Sequence, residues 1–337
     1  MARRRWKKII GLALLIIITL VVLGITFTIG WRPFIGAKKR ALTDRKFDAT
    51  TQRLARGKYL VDGVMGCFGC HTESDWSKPG APPIAGREGS GRSWADQGLP
   101  WLSASNITPD KETGIGNLSD DGLARAIREG IGKDGRALFP IMPYPNYRQM
   151  SDEDLASVIA YVRSVPAVRN QMPTTRMPFP LNFFIQNVPQ PITAAVPAPG
   201  QSTPAPGEYL TRMASCADCH TPQEKGQPLP GMDFAGGFIL KEPNGDVASA
   251  NITPAPSGIV YYNEATFVQA MRTGKVGARP LHASMPWVFY GRMTDEDLGA
   301  IFAFLKTVKP VKHQLDNTEP PTYCRLCKQK HGFGATN

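Results

Sequence analysis

Read from its N-terminus, the chain opens on a stretch with no polar face at all. From Ile9 to Gly30 it runs IIGLALLIIITLVVLGITFTIG without a charge, and as a helix rising about 1.5 Å per residue this covers roughly 30 Å, the thickness of bilayer hydrocarbon. Beyond it the apolar positions take up the spacing of amphipathic helices. Leu155, Val158, Ile159 and Val162 share one face of a segment that begins at Ser151 or Asp152, carries acidic residues in its first turn and stops at Pro166. Leu298, Ile301, Phe302 and Leu305 repeat the arrangement between Thr294 and Val308. Helices are also predicted over 119–130 and 263–273 and just ahead of two cysteine pairs. The intervening loops are rich in Gly and Pro, with little strand pattern.

These segments belong to two copies of one unit. The first reads GKYLVDGVMGCFGCHT, then NITP at 106–109, LARAIREGIGKDGR, IMPY at 141–144 and MSDEDLASVIAYVRSVP. The second reads GEYLTRMASCADCHT, NITP at 251–254, FVQAMRTGKVGAR, SMPW at 284–287 and MTDEDLGAIFAFLKTVKP. An ordered recurrence of this kind marks an internal duplication. The copies occupy 51–168 and 206–312, separated by a Pro-rich connector at 169–205. The apolar centre of that connector, Phe179 to Ile185, is expected to pack along a module. Residues 1–50 hold the apolar span and its flanks, and 313–337 form a short tail.

Charge changes the picture mainly by where it lies. The formal net charge is +11, which would invite a nucleic-acid reading if it formed a folded basic face. Eleven basic residues flank the apolar span (Arg3, Arg4, Arg5, Lys7 and Lys8 before it; Arg32, Lys38, Lys39, Arg40, Arg45 and Lys46 after it) against the single acidic Asp44, so residues from Phe47 onward carry about +1. No nucleic-acid partner is expected. No A-x-A-like cleavage site occurs between Gly24 and Ala41, so an uncleaved anchor is predicted rather than a leader. Basic residues ahead of the span keep the N-terminus in the cytoplasm and place everything after Trp31 on the outer side.

Candidate chemistry is concentrated in CFGCH at 67–71 and CADCH at 216–220. In C-x-x-C-H the two thiols lie one helical turn apart and can add to the two vinyl groups of one haem, while the histidine sits beneath the iron. A thiol redox pair does not call for the histidine, and a zinc site needs further ligands in a chain with five histidines. Two covalently bound haem c groups are therefore predicted, on Cys67, Cys70 and His71 and on Cys216, Cys219 and His220. Met142 in PIMPY and Met285 in ASMPW stand at matching places and are the predicted sixth iron ligands. Met150 and Met293 also correspond but abut the next helix and read as core.

Other residues compete for lesser roles. His282, three residues before Met285, is a rival ligand or a rim residue, and its counterpart is Phe139. Arg136 and Arg279 occupy equivalent places and could bond haem propionates. The Asn-Ile-Thr triplets at 106 and 251 and Asn-Leu-Ser at 117 read as loop turns rather than glycan acceptors, their recurrence suggesting a structural task near the haem edge. In the tail, CRLCK at 324–328 is followed by His331. A disulfide between Cys324 and Cys327 is the first expectation, ahead of a metal site completed by His313 and, last, a lysine-ligated third haem.

Taken together, RGKYLVDGVMGCFGCHT, NITPDKETGIG, RAIREGI, DGRALFPIMPY and SDEDLASVIAYVRSVP resemble the cytochrome c subunits of membrane-bound alcohol, gluconate and related sugar dehydrogenases. With the duplication and the apolar span, the expected fold is mainly α: two tandem class I-type cytochrome c domains following a transmembrane helix. The anchor, the basic residues ahead of it and the haem-attachment motifs point to a bacterial protein, single-pass in the cytoplasmic membrane with its haem domains in the periplasm. Such a chain would take single electrons from a dehydrogenase or respiratory donor and deliver them to an oxidase, a soluble cytochrome or quinone. Family members commonly carry three haem modules and a cleaved leader, whereas this chain has two modules and an N-terminal span. The contrasting expectation is an enzyme, a di-haem peroxidase or oxidoreductase with one labile ligand, for which His282 beside Met285 is the sequence hint. A haem-bearing sensor signalling through the tail is a third.

Overall fold

A computed structural model describes residues 2–95, 98–200, 205–241, 246–318 and 320–332. Helix α1 (Ala2–Phe27) contains the apolar span, and an 18-residue window within Arg4–Phe27 has a mean hydropathy of 3.0 with none of it buried inside the protein. It is long and apolar enough to cross a membrane. A short helix α2 (Arg32–Ile35) follows.

The first module is built from α3 (Thr51–Tyr59), which runs into a π-helical turn at Leu60–Val64, then α4 (Cys67–Cys70), α5 (Asp120–Glu129), α6 (Tyr144–Tyr147) and α7 (Asp152–Ser164). After α8 (Leu181–Phe184) in the connector, the second module repeats the order as α9 (Ala205–Met213), α10 (Cys216–His220), α11 (Glu264–Thr273), α12 (Trp287–Tyr290) and α13 (Asp295–Leu305). Strand structure among the described residues is limited to two-residue antiparallel ribbons.

The helix starts are where their caps demand. Ser119, Ser151, Asn263 and Thr294 each accept a backbone N–H from the first turn of α5, α7, α11 and α13, satisfying a donor that the helix itself cannot. Helix α13 ends at Leu305 instead of continuing to Val308, because the chain tightens there: the N–H of Thr307 bonds the carbonyl of Phe304.

In each module the first and last helices pack closely enough that only glycine fits the crossing. A Cβ on Gly57 would lie 2.0 Å from the Ser157 carbonyl oxygen, and one on Gly207 would lie 2.0 Å from that of Ala300. The apolar faces predicted from spacing are buried here. Leu155 and Ile159 of α7 and Leu298 and Leu305 of α13 lie at 1% exposure or less, with Met150 and Met293 beneath them. Both modules contribute to one continuous apolar core.

The two modules grip each other reciprocally. The Tyr59 hydroxyl of α3 donates to Asp297 at the start of α13 and accepts the Thr294 N–H at 3.2 Å. In return Tyr209 of α9 donates to Asp154 at 2.7 Å and accepts the Ser151 N–H at 3.2 Å. Each residue in one contact is the repeat equivalent of its counterpart in the other, so the modules are related by a local pseudo-twofold. Burial and the Asp297 bond push the Tyr59 phenol up to about 12, which keeps it a donor.

Two connecting segments are bound to this body. Arg40 bonds Asp121 at 2.6 Å and Glu129 at 2.7 Å, Arg45 joins Asp121 at 2.8 Å, and the Thr43 N–H adds a bond of 2.7 Å to the same carboxylate. Part of the basic cluster behind the apolar span is thus consumed by module 1. The apolar centre of the connector packs on α2 rather than along a module. Phe183 stacks edge-on against Phe34 at 4.9 Å, and Gln186 accepts the Ala37 N–H at 3.0 Å. Earlier in the connector, Thr175 exchanges bonds with both backbone groups of Ser103 at 2.9 and 3.1 Å.

Candidate haem sites

Each C-x-x-C-H motif begins after a residue in the left-handed region, Gly66 at φ 56° and Ser215 at φ 56°, which turns the chain sharply into the short helix that carries the cysteines. In α4 the His71 N–H closes the helical turn on the Cys67 carbonyl at 2.9 Å, so Cys67, Cys70 and His71 project to one side. Burial pushes the thiols of Cys67 and Cys216 up to about 12. A redox or nucleophilic pair needs the opposite, a thiolate stabilised near neutrality.

The two histidines are oriented identically. His71 Nδ1 donates to the Ser105 carbonyl at 2.8 Å and His220 Nδ1 to the Ala250 carbonyl at 2.7 Å. That bond fixes the tautomer and leaves each Nε2 lone pair free to bind a metal. Burial lowers the pKa of both rings, which favours the neutral form that a ligand requires. Ser105 and Ala250 directly precede the two Asn-Ile-Thr triplets. Asn106 Oδ1 accepts the Thr108 N–H at 2.9 Å, and Asn251 Oδ1 that of Thr253 at 2.9 Å. The recurrent triplet is therefore a side-chain-locked turn that presents the carbonyl to the histidine.

Met142 and Met285 lie in matching turns. The Tyr144 N–H bonds the Met142 carbonyl at 2.7 Å and the Trp287 N–H that of Met285 at 2.8 Å. Both methionines are half-buried and pack against the core alongside Cys67 and Cys216. Gly130 and Gly274 end α5 and α11 at φ 74° and 64° and lie flat against the rings of Tyr144 and Trp287, so the helix ends hold these turns in place.

The predicted arginines are not equivalent in space. Arg136 is half-buried and donates to the Thr175 carbonyl of the connector, whereas Arg279 is exposed on a two-residue ribbon. His282 Nδ1 accepts the Ser284 N–H at 3.3 Å within its own turn. A better cation for the first haem is one that the motif reading passed over. Arg92 is 7% exposed, stacks on Trp94 at 5.1 Å, places Nη1 3.4 Å from the Gly69 carbonyl inside CFGCH, and leaves its buried Nη2 without a partner. A haem carboxylate would satisfy that donor. The second module has Gly237 at the same position after its histidine loop, which a comparison of SGRSW with AGGFI would have revealed.

The two attachment loops face one another across the module contact. Asn146, beyond Met142, donates to both carboxylate oxygens of Asp218 in CADCH at 3.0 and 2.9 Å. Its repeat equivalent Phe289 lies on CFGC so closely that a Cβ on Gly69 would come within 2.9 Å of the ring. Cys70 is within electrostatic reach of Cys219. Paired thiols, tautomer-fixed imidazoles with bare Nε2 atoms, a methionine turn at the matching place in each module and, in the first, a buried guanidinium nitrogen without a partner together fit haem c.

Comparison with known proteins agrees with this chemistry. The chain is 30% identical over 307 residues to the fructose dehydrogenase cytochrome subunit of Gluconobacter japonicus, covering 84% of this chain and 58% of that protein. It is 31% identical over 277 residues to the gluconate 2-dehydrogenase cytochrome c subunit of Pantoea cypripedii, covering 75% and 59%. A di-haem c-type cytochrome of Cereibacter sphaeroides matches at 26% over 273 residues, covering 79% and 89%. The chain thus spans less than two thirds of the dehydrogenase subunits' length. The cytochrome c family matches residues 54–166 and 204–309, one segment over each C-x-x-C-H motif, and the duplicated unit carries two covalently bound haem c groups. The chain belongs to the cytochrome c family.

Proposed function

We propose that this protein is an electron-transfer subunit held in the bacterial cytoplasmic membrane by α1, with its two haem modules in the periplasm. In this reading Cys67, Cys70, Cys216 and Cys219 would form the thioether links, and His71 and Met142 in the first module and His220 and Met285 in the second would supply the iron ligands. Each bound haem c supplies a one-electron iron couple, whose potential is raised by thioether ligation. The protein's own residues do the rest. The apolar core would keep water from the ring faces, the Ser105 and Ala250 carbonyls set imidazole orientation and basicity, and the reciprocal Tyr–Asp contacts fix one module against the other.

The observation that carries this reading is the duplication, on one self-packed body, of a C-x-x-C-H helix, a carbonyl-oriented histidine and a methionine turn at matching places. With a histidine and a methionine supplied to each iron, no position would stay open for peroxide or nitrite, and the chain would pass electrons rather than transform a substrate. The donor is proposed to be a dehydrogenase, as the names of the relatives suggest, and the acceptor an oxidase, a soluble cytochrome or quinone. Carbon monoxide provides the test, because it binds ferrous haem only where a ligand is absent or readily displaced. The dithionite-reduced protein at neutral pH is expected to keep its spectrum under carbon monoxide. Rapid binding at either iron would instead favour the di-haem enzyme.

A further inference from the structure

The haem sites leave the tail unexplained, and it is the most highly organised part of the molecule outside them. Among the described residues, His313, Cys324, Cys327 and His331 bring one ligand atom each to within 4.8 Å of one another. His313 is 1% exposed, Cys327 0% and His331 8%. The sequence favoured a disulfide between Cys324 and Cys327, but the structure holds the two as separate thiols and gathers two imidazoles around them. A disulfide has no use for either histidine.

The backbone is shaped to make this cluster. Lys328 adopts φ 57°, turning the chain directly after Cys327, and the Cys324 N–H bonds the Gln329 carbonyl at 2.8 Å. The resulting hairpin pairs Thr322 with His331 and Tyr323 with Lys330, which returns His331 beside the thiols. His313 arrives from the end of module 2. Its Nδ1 donates to the Ala235 carbonyl at 2.9 Å, and its Nε2 lies 3.4 Å from Cys324 Sγ. A carbonyl on Nδ1 and a bare Nε2 aimed at a thiol is the arrangement of a metal-ligating imidazole. Gly237 has no side chain to obstruct it, since a Cβ there would lie 2.7 Å from His313 Cε1.

We propose that His313, Cys324, Cys327 and His331 form a tetrahedral Cys2His2 zinc site that clasps the tail to the second haem module. Zn–S bonds of about 2.3 Å and Zn–N bonds of about 2.0–2.1 Å place neighbouring ligand atoms roughly 3.3–3.8 Å apart. The Cys324–His313 separation of 3.4 Å already has that value, and the remaining ligands need a shift of about an ångström. Binding exchanges the two thiol protons, released to solvent, for one Zn²⁺, so the closed site is electrically neutral. Zinc has no redox couple, and ligation protects the thiolates from oxidation outside the cytoplasm.

The position gives the site a consequence for the haem beside it. Ala235, which accepts from His313, adjoins Gly236, whose N–H bonds the His220 carbonyl at 2.7 Å. Asn251 donates to the His313 carbonyl at 3.2 Å, next to the Ala250 carbonyl that orients His220. Module 1 fills the same place with Asn170, whose amide donates to the Ser90 carbonyl at 2.8 Å. Where module 1 has an amide, module 2 has a histidine and an appended hairpin. The zinc site thus braces the loops around His220 alone.

Metal analysis of the purified full-length holoprotein tests this. The expected result is one zinc per chain beside two irons, with zinc lost and both haems retained in the Cys324→Ser/Cys327→Ser variant. Where that variant fails to fold, His331→Ala and chelator treatment of the native protein apply, the latter releasing zinc as Cys324 and Cys327 become open to alkylation. The midpoint potential of one haem is expected to shift on zinc loss while the other stays. Sub-stoichiometric zinc in protein made with zinc available, or peptide mass spectrometry finding a Cys324–Cys327 disulfide, overturns the proposal.

Discussion

Replacing Met285 with alanine should lower one of the two midpoint potentials while leaving both haems covalently attached, and Met142→Ala should do the same to the other. Axial ligands command a range of roughly 0.8 V in haem proteins, and exchanging a thioether for water or a stray nitrogen ligand moves the iron toward its low end. Neither substitution touches the Cys-x-x-Cys-His helix that holds the ring, because each methionine lies in a separate turn tied by its own backbone bonds. The altered iron should also acquire carbon monoxide binding that the parent lacks. Redox titration of the two single variants checks the assignment site by site. Potentials unchanged by both substitutions would remove these methionines from the coordination sphere.

Removing the charge at Asp121 should cost about 3 kcal/mol of stability at neutral pH, the scale for breaking a buried ion pair. The carboxylate is fully buried between Arg40 and Arg45. Burial pushes its pKa upward, but the Arg40 hydrogen bond, the Thr43 N–H and the two guanidinium charges outweigh this and hold it well below the usual carboxylate range. A depressed native pKa contributes stability that is present above the unfolded value near 3.8 and lost as pH falls through the native one. The gap between the parent and Asp121→Asn should accordingly be full at pH 7 and narrow progressively below about pH 4. Denaturant unfolding of both proteins across that range measures it. A gap independent of pH would mean that the ion pair is not its source. Because Arg40 and Arg45 lie between α1 and module 1, the variant should also loosen the strap that joins the apolar helix to the first haem module.

The helices and the haem chemistry were legible because both rest on local patterns. Leu155, Val158 and Ile159 announce a helix face by spacing alone, and C-x-x-C-H states its cofactor in five residues. Ligand orientation was legible only in part. The repeat of Asn-Ile-Thr pointed to a structural task, but that the preceding carbonyls of Ser105 and Ala250 receive the imidazole protons needs tertiary structure. Arg92 escaped notice because its role depends on burial beside Gly69 and Trp94, which no spacing encodes.

The contact between modules was equally hidden, since Tyr59 and Asp297 stand 238 residues apart. Once the duplication was recognised, though, Tyr59 with Tyr209 and Asp154 with Asp297 were matched pairs awaiting a partner. The tail left its alternatives open for a related reason. A close cysteine pair read first as a disulfide and second as a metal site with His331 and His313, and only folding shows that all four side chains meet at one point.

The whole account depends on two haem groups being bonded to this polypeptide, one through Cys67 and Cys70 and the other through Cys216 and Cys219. Intact-mass spectrometry of the denatured, purified chain measures that directly. The mass is expected to exceed that of the bare polypeptide by two haem groups, and by a single one after Cys216→Ala/Cys219→Ala. A chain no heavier than its amino acids would contradict the account at its root.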